Sequence, residues 1–192
     1  MKLFFDTETT GVPANYNAPV SDSANWPRLV QIGYIVIDRD KVVHQHEAII
    51  KPVGFEIPIG ASNVHGISTE RAIAEGQDLD DVIDEFVSWA SEAKAIVGHN
   101  VSFDIHIVGA EFWRLHGFDP FVGKKTIDTM KSSTEFCQLP GGYGGKYKWP
   151  KLAELYRKLF DADMGAAHTA LQDIENTAAC YFELVKRGVI TE

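Results

Sequence analysis

The sequence predicts an α/β fold in which a mixed five-stranded sheet is flanked by helices. Strand-like segments form a meander near the N-terminus, and helical and strand-like segments alternate after it. The 192 residues are 45% hydrophobic and 11% aromatic, which suffices to bury a core. This length suits one domain, so we expect a single domain over residues 1–192.

The first half of the chain contains the predicted meander. Residues 2–5 form a short apolar run with strand character that ends at Asp6-Thr7-Glu8. Residues 9–28 are rich in Gly, Pro, Asn and Ser, which predicts a long loop. Residues 29–38 are a β-branched run, and residues 42–50 alternate as a partner strand would. We therefore expect two further strands to pair antiparallel with the first.

The second half alternates helices with short strands. Apolar residues at helical spacing predict an amphipathic helix over residues 78–93. A buried strand at residues 95–97, a helix over residues 102–116 and a strand end at residues 126–129 are expected next. The last two helices are marked by the apolar residues Leu152, Leu155, Tyr156 and Leu159, and by Ala170, Leu171, Ile174, Ala178, Tyr181, Phe182 and Val185.

Composition limits the compartment and the partners. No apolar run approaches the length that spans a bilayer, and the N-terminal apolar run is too short for a signal peptide. Cys137 and Cys180 lack metal-type spacing and are expected to be reduced. A cytoplasmic protein without membrane contact is predicted. The net charge of −9 argues against binding nucleic acid through clustered Lys and Arg, but not against phosphate binding through metal ions.

Two carboxylates follow the first strand. Asp6 and Glu8 are two residues apart, so in an extended chain they point the same way. Like charges this close favour a hard divalent cation between them. An isolated Asp-x-Glu is, however, more often a solvated turn.

A third carboxylate, Asp104, follows the buried strand at the beginning of a helix. Open α/β sheets bind ligands at this position. In the alternative interpretation, Asn100 or Ser102 caps the helix and Asp104 only complements the helix dipole.

The last helix begins with a histidine and a carboxylate. Asp173 lies among apolar positions, where a carboxylate needs a partner. His168 precedes it, and an imidazole that titrates near neutrality is a suitable base for activating water. The alternative is an exposed histidine without a role.

Together, these motifs resemble the DEDDh group of DnaQ-like 3′→5′ exonucleases, which includes proofreading domains and ribonuclease T. The similarity covers roughly residues 2–184 and implies a ribonuclease H-like fold. It rests on four segments, Asp6-Thr7-Glu8-Thr9-Thr10-Gly11, Val64-His65-Gly66-Ile67-Ser68, Asn100-Val101-Ser102-Phe103-Asp104 and His168-Thr169-Ala170-Leu171-Gln172-Asp173.

The resemblance implies a two-metal hydrolysis that releases 5′-mononucleotides from 3′ ends. Asp6, Glu8, Asp104 and Asp173 would hold two divalent cations, Mg²⁺ or Mn²⁺, with Asp6 bridging them. His168 would take a proton from the attacking water. These five residues are the expected catalytic set.

The resemblance also implies contacts with the terminal nucleotide. The residues expected to make them are Thr9, Thr10, Gly11, Val12, His65, Asn100 and Phe103. His65 is equally explained as a structural turn residue, and Phe103 as core.

Two surface segments have open interpretations. Residues 13–28 are a long insertion beside the first motif, and residues 144–149 interleave lysines with aromatic residues. The second segment suits single-strand binding by stacking and phosphate contact. In the alternative it is a flexible loop in which Trp149 anchors the following helix.

We expect a 3′→5′ exonuclease that acts on single-stranded DNA or RNA ends, with DNA slightly preferred. A polymerase or a second copy of the chain is an expected partner. The alternatives are a catalytically silent relative that binds nucleic acid or a protein, a proofreading subunit active only with a polymerase, and a ribonuclease H-like endonuclease.

Overall fold

A five-stranded sheet forms the centre of the computed structural model, which describes residues 1–165 and 170–191. The strand order is β3-β2-β1-β4-β5. Strand β1 pairs antiparallel with β2, and β2 with β3, whereas β4 runs parallel to both β1 and β5. The strands are β1 Lys2–Thr9, β2 Leu29–Asp38, β3 Lys41–Ile49, β4 Ala95–Gly98 and β5 Thr126–Asp128. The predicted fold class is confirmed.

Eight α-helices flank this sheet within the part of the chain that the structure describes. They are α1 Ile59–His65, α2 Thr69–Glu75, α3 Leu79–Glu92, α4 Val101–His116, α5 Thr129–Ser132, α6 Thr134–Cys137, α7 Leu152–Phe160 and α8 Ala170–Lys186. The sequence analysis did not predict α1, α2, α5 or α6, since four to seven residues show too little of a helical period. Among the described residues, no helix is both long and apolar enough to cross a bilayer.

Strand β1 is longer than predicted. The sequence analysis ended it at Phe5, because the next residues are polar. In the structure it continues to Thr9, because β2 supplies a partner along its whole length, including Gly33 opposite Asp6 and Gln31 opposite Glu8. The first pair of carboxylates therefore lies within a central strand and not in a turn after it.

The two faces of the sheet bury separate apolar clusters. Phe5 packs against Phe86 of α3, with ring centroids 4.9 Å apart, and belongs to the cluster shared with α4. Phe4 points the other way and meets Tyr181 of α8 at 5.5 Å, in the cluster shared with α7. Cys180 is buried in this second cluster, as expected for a reduced core cysteine.

The loop between β1 and β2 is anchored by Trp26. This side chain is only 3% exposed. Its Nε1 donates to the Pro19 carbonyl at 3.2 Å, and its ring stacks on His106 of α4 at 4.7 Å. This end of the loop is therefore packed against α4.

A buried carboxylate, Glu111, ties the same loop to α4. Glu111 is completely buried and accepts hydrogen bonds from Arg28 Nε at 2.8 Å and from the Leu29 amide at 2.9 Å. Arg114 Nη1 lies 3.0 Å from its other oxygen, and Arg114 also donates to the Trp26 carbonyl at 2.8 Å. The charge of Glu111 is thereby paired on both sides.

We predict that Glu111→Ala lowers the free energy of unfolding by about 3 kcal/mol, because it leaves two arginines without their shared buried partner. Urea denaturation of both proteins would measure the change. The control is Glu75→Ala, which removes an exposed pair with Arg71 and should cost less than about 0.5 kcal/mol. Equal losses in the two variants would contradict the structural role of Glu111.

Candidate active site

The site begins at the C-terminal end of β1, where Asp6 and Glu8 share one face of the strand. Strand β4 pairs with β1 only from Lys2 to Phe4, so β1 extends beyond its parallel neighbour. This leaves a crevice beside Asp6 at the carboxyl ends of parallel strands. Open α/β sheets bind ligands at such a crevice.

Helix α4 places Asp104 in this crevice. Asp104 lies in the first turn of the helix and is 4% exposed. One of its oxygens accepts hydrogen bonds from the Thr7 amide at 3.0 Å and from Thr7 Oγ1 at 2.6 Å. Thr7, between the two carboxylates of β1, therefore fixes the position of the third.

The packing of α8 against β1 explains where Asp173 lies. Phe4 contacts Tyr181. From this contact, the strand rises about 13 Å over the four residues to Glu8, and the helix rises about 12 Å over the eight residues back to Asp173. With the two elements antiparallel, these nearly equal distances place Asp173 level with Glu8. The electrostatic effect of Asp173 on Glu8 agrees with this alignment.

The four carboxylates repel one another. Burial, followed by the charges of Asp104, Glu8 and Asp173, raises the pKa of Asp6 well above its ordinary value. Burial and the charge of Asp173 raise the pKa of Glu8. Burial raises the pKa of Asp104 to about 7, although its hydrogen bonds from Thr7 favour the charged form.

The donor set fits hard divalent cations. All four side chains offer only carboxylate oxygens, which Mg²⁺ and Mn²⁺ prefer. A cation among them would replace the mutual repulsion by attraction and favour the charged forms. The structure thus brings together the four carboxylates that the sequence analysis named. Their roles as ligands remain predictions.

The predicted base, His168, lies outside the described residues. The described part of α8 begins at Ala170 and continues through Asp173. The Leu171 amide contacts Glu47 Oε1 of β3 at 3.4 Å. The first described turn of the helix is therefore held against the sheet by an additional carboxylate.

The residues predicted to contact the terminal nucleotide lie around this cluster. Thr10 Oγ1 accepts from the Arg28 amide at 2.9 Å, and Thr9 Oγ1 donates to the Gly11 carbonyl at 2.7 Å, so these hydroxyls shape the turn after β1. Val12 is 71% exposed. Their contact with a nucleotide stays a prediction.

His65 ends α1, and its Nδ1 accepts from the Ile67 amide at 3.2 Å. This supports the turn interpretation. Burial lowers the pKa of His65, and the neighbouring Thr9 backbone partly opposes that shift. The histidine therefore also lies beside the first motif.

A cavity of about 440 Å³ opens at the beginning of α4. It combines residues from the loop between β1 and β2, from α4 and the residue before it, from α5 and from the segment over residues 144–149. Asn100 and Phe103, two of the predicted substrate contacts, belong to its lining. The lining residues are Tyr16, Asn17, Trp26, Asn100, Ser102, Phe103, Met130, Lys131 and Trp149.

The two surface segments with open interpretations meet in this cavity. Tyr16 and Trp149 are 57% and 61% exposed, so they present their rings to solvent. The exposure of Trp149 argues against the alternative interpretation, in which this side chain anchors the following helix. Lys131 Nζ lies 5.9 Å from the centre of the Trp149 ring, which places a positive charge beside an open aromatic face.

Two positioning residues were missed by the sequence analysis. Thr7 was visible inside the first motif, but only its neighbours were assigned a role. Asp128 ends β5 and accepts from the Asn100 amide at 3.0 Å as well as from the Met130 and Lys131 amides. It fixes the left-handed Asn100 at the beginning of α4, and no local pattern marks it, since its partner is 28 residues away.

Relatives in sequence are DNA polymerases. The chain is 25% identical over 185 residues to the DNA polymerase III PolC-type of Staphylococcus aureus (strain bovine RF122 / ET3-1) and to that of Staphylococcus haemolyticus (strain JCSC1435). Both matches cover 96% of this chain but 11% of the polymerase. The chain thus spans about a tenth of the length of these curated relatives.

Similar solved structures are complexes of E. coli exonuclease I. The complex with a dA16 oligonucleotide has a TM-score of 0.72 at 21% identity, and the complex with dT13 has 0.73 at 24%. Each match covers 96% of this chain and 40% of the other. At these identities the likeness shows the fold, which is that of ribonuclease H-like exonucleases.

The family-level comparison is more specific. The exonuclease family model of the ribonuclease T type matches residues 3–181, and this range includes every carboxylate of the cluster. The recognition made from the sequence motifs is confirmed. The chain belongs to this exonuclease family, within the DnaQ-like superfamily.

Proposed function

We propose that the chain is a metal-dependent 3′→5′ exonuclease that removes 5′-mononucleotides from single-stranded nucleic acid, with DNA preferred over RNA. The observation that carries this proposal is the convergence of four carboxylates beside the end of β1 in a member of an exonuclease family. Their mutual repulsion is difficult to explain unless a cation binds there.

Asp6, Glu8, Asp104 and Asp173 are the proposed ligands of two Mg²⁺ or Mn²⁺ ions, with Asp6 shared. When bound, such ions neutralise the phosphodiester, favour ionisation of the attacking water and stabilise the leaving oxygen. Thr7 contributes as a positioning residue, because its two hydrogen bonds to Asp104 hold that carboxylate in the crevice. His168 is the proposed base that takes the proton of the attacking water.

The cavity beside α4 is the proposed binding site for the last nucleotides of the strand. Tyr16 and Trp149 offer exposed rings on which bases stack, and Lys131 offers a charge for phosphate. An unpaired strand can present its base faces to these rings, whereas a duplex cannot. The aromatic lining therefore supports single strands as substrate.

The preference for DNA rests on the relatives. The relatives in sequence are DNA polymerases, and the similar structures contain DNA oligonucleotides. The first comparison also supports a role beside a polymerase, in which the chain would remove misincorporated nucleotides. A 3′-terminal mismatch digested faster than a matched end would favour that role.

We expect a 5′-labelled single-stranded DNA oligonucleotide to be shortened stepwise in Mg²⁺ or Mn²⁺ and to stay intact in EDTA. A receding ladder means digestion from the 3′ end, whereas discrete internal fragments would favour the endonuclease alternative. Asp104→Asn should nearly abolish the reaction. His168→Ala should slow it by about 10²–10⁴-fold while keeping the metal affinity, because a base is not a ligand.

Activity of Asp104→Asn within a few-fold of the parent would contradict the metal assignment. A matched RNA oligonucleotide, digested under the same conditions, tests the DNA preference separately. Equal rates on both would remove the preference and leave the exonuclease proposal unchanged.

The raised pKa values predict how metal and pH affect stability. In the metal-free folded protein, Asp104 keeps its proton up to about pH 7, whereas an Asp in the unfolded chain loses it near its ordinary value of 3.8. The folded state therefore binds more protons between these pH values. The contribution of this group to stability is present at low pH and is lost as the pH rises through about 7.

We accordingly expect Mg²⁺ to raise the Tm more at about pH 8 than at about pH 5.5, because at the lower pH protons compete for the carboxylates. In EDTA at the higher pH, Asp104→Asn should unfold at the same temperature as the parent or above it, since one like charge is removed. Scanning calorimetry with and without Mg²⁺ measures both effects. A larger Mg²⁺ effect at the lower pH would exclude this cluster as the metal site.

The stacking role of the cavity predicts a defect in binding. Trp149→Ala should raise the KM for a single-stranded oligonucleotide by about 5- to 150-fold, which corresponds to about 1–3 kcal/mol for one stacked base. Steady-state kinetics would measure it. The control is Phe118→Ala, an exposed aromatic residue after the far end of α4. An unchanged KM in Trp149→Ala would remove this side chain from the binding site.

A further inference from the structure

A second group of metal-ligand side chains lies on the other face of the sheet. His44 and His46 are two residues apart on the edge strand β3, and they pair with Val36 and Tyr34 of β2. Glu85 of α3 lies between the two rings. One ligand atom of each of the three residues lies within 4.8 Å of the others. Asp6 and Glu8 are on the opposite face, which α8 covers.

We propose that His44, His46 and Glu85 bind one Zn²⁺ ion, which fastens the edge strand β3 to helix α3. Two imidazoles and one carboxylate are the ligands that zinc takes in many sites with three protein ligands. They are softer than the four carboxylates of the nuclease site, which favours zinc here over Mg²⁺. The nuclease reaction does not need this site.

The distances suit a shared ion with little movement. His44 Nε2 lies 2.9 Å from Glu85 Oε1, and His46 Nδ1 lies 2.9 Å from Glu85 Oε2. Two ligands at about 2.0 Å from zinc, at tetrahedral angles, are about 3.3 Å apart. Each imidazole would therefore move a few tenths of an ångström away from the carboxylate oxygen beside it, which side-chain rotation provides.

One buried polar atom of the cluster has no hydrogen-bond partner among the described residues. His44 Nε2 is buried and lies 2.9 Å from Glu85 Oε1, but the two groups do not align as a hydrogen bond. Buried polar atoms are rarely left in this state. A bound ion would accept the lone pair of this nitrogen.

The orientation of the two imidazoles is also appropriate. The His44 ring stacks on Trp89 at 4.7 Å, and the His46 ring stacks on Tyr34 at 5.6 Å. The aromatic neighbours thus hold both imidazoles against α3. Partners of this kind restrict the orientation of ligands.

The site is accessible to an ion from solvent. The side chains of His44, His46 and Glu85 are 27%, 21% and 37% exposed. They are therefore shielded enough to be ordered but are not enclosed. An ion can enter without local unfolding of the sheet.

The experiment titrates the full chain, first freed of metals by a chelator, with Zn²⁺ in a large excess of Mg²⁺ that occupies the carboxylate cluster. Calorimetry is expected to show one Zn²⁺ per chain in the parent and in Asp104→Asn. Glu85→Gln and His46→Ala should no longer bind this Zn²⁺ ion. At a zinc concentration about 100 times the Kd, the parent Tm should rise by about 5–10 °C, and the Glu85→Gln Tm should not.

The control is His116→Asn, which removes a surface histidine paired with one carboxylate, Asp84 Oδ1, at 3.1 Å. It should bind zinc as the parent does. Glu85→Gln should also retain the parental nuclease rate in Mg²⁺, which separates this site from the proposed function.

Three results would overturn the proposal. The first is a parent that takes up no zinc in the presence of Mg²⁺, which would leave the cluster as paired surface side chains only. The second is that Glu85→Gln and His46→Ala both still bind one Zn²⁺ per chain. The third is that Asp104→Asn binds no Zn²⁺ while Glu85→Gln still binds one ion per chain, because the zinc would then have been in the nuclease site.

Discussion

The accumulation of four carboxylates at the end of β1 is the constraint on which the rest of the structure depends. Burial and mutual repulsion oppose the ionisation of Asp6, Glu8 and Asp104. The surrounding fold must therefore hold these groups together against their own electrostatics. It does so with a central strand that is paired on both sides and with two helices packed against opposite faces. A site that is unfavourable without a cation is at the same time prepared for one.

Both helices owe their positions to contacts away from the charges. Helix α8 is aligned by the aromatic packing of Phe4 on Tyr181, and the beginning of α4 is fixed by the hydrogen bond from the Asn100 amide to Asp128. These interactions are neutral or locally satisfied, so they do not depend on whether a cation is bound. The arrangement of the four carboxylates is therefore established by the fold itself, which would reduce the reorganisation needed for a cation to bind as proposed.

Much of this arrangement could be predicted from the sequence, because hydrophobic periodicity reports burial directly. It located β2, β3, α3, α4 and the meander to within a few residues. It ended β1 too early, since pairing with β2 stabilises polar residues in a strand and pairing is not a local property. Asp128, Glu111 and the cluster on β3 were missed for the same reason. Each depends on partners dozens of residues away, and only the assembled sheet brings them together. Trp149 was misinterpreted because exposure cannot be read from residue type.

The cavity beside α4 has walls that come from four separate stretches of chain. The other lining residues lie at the beginning of α4 and in α5. The loop wall is fixed independently by Trp26 and the Glu111 network, and Trp149 belongs to a different loop. Substitutions in either loop would therefore change the shape of the cavity without displacing the carboxylates. The parts of the chain that would select a bound molecule are thus separate from the parts that hold the acidic cluster together.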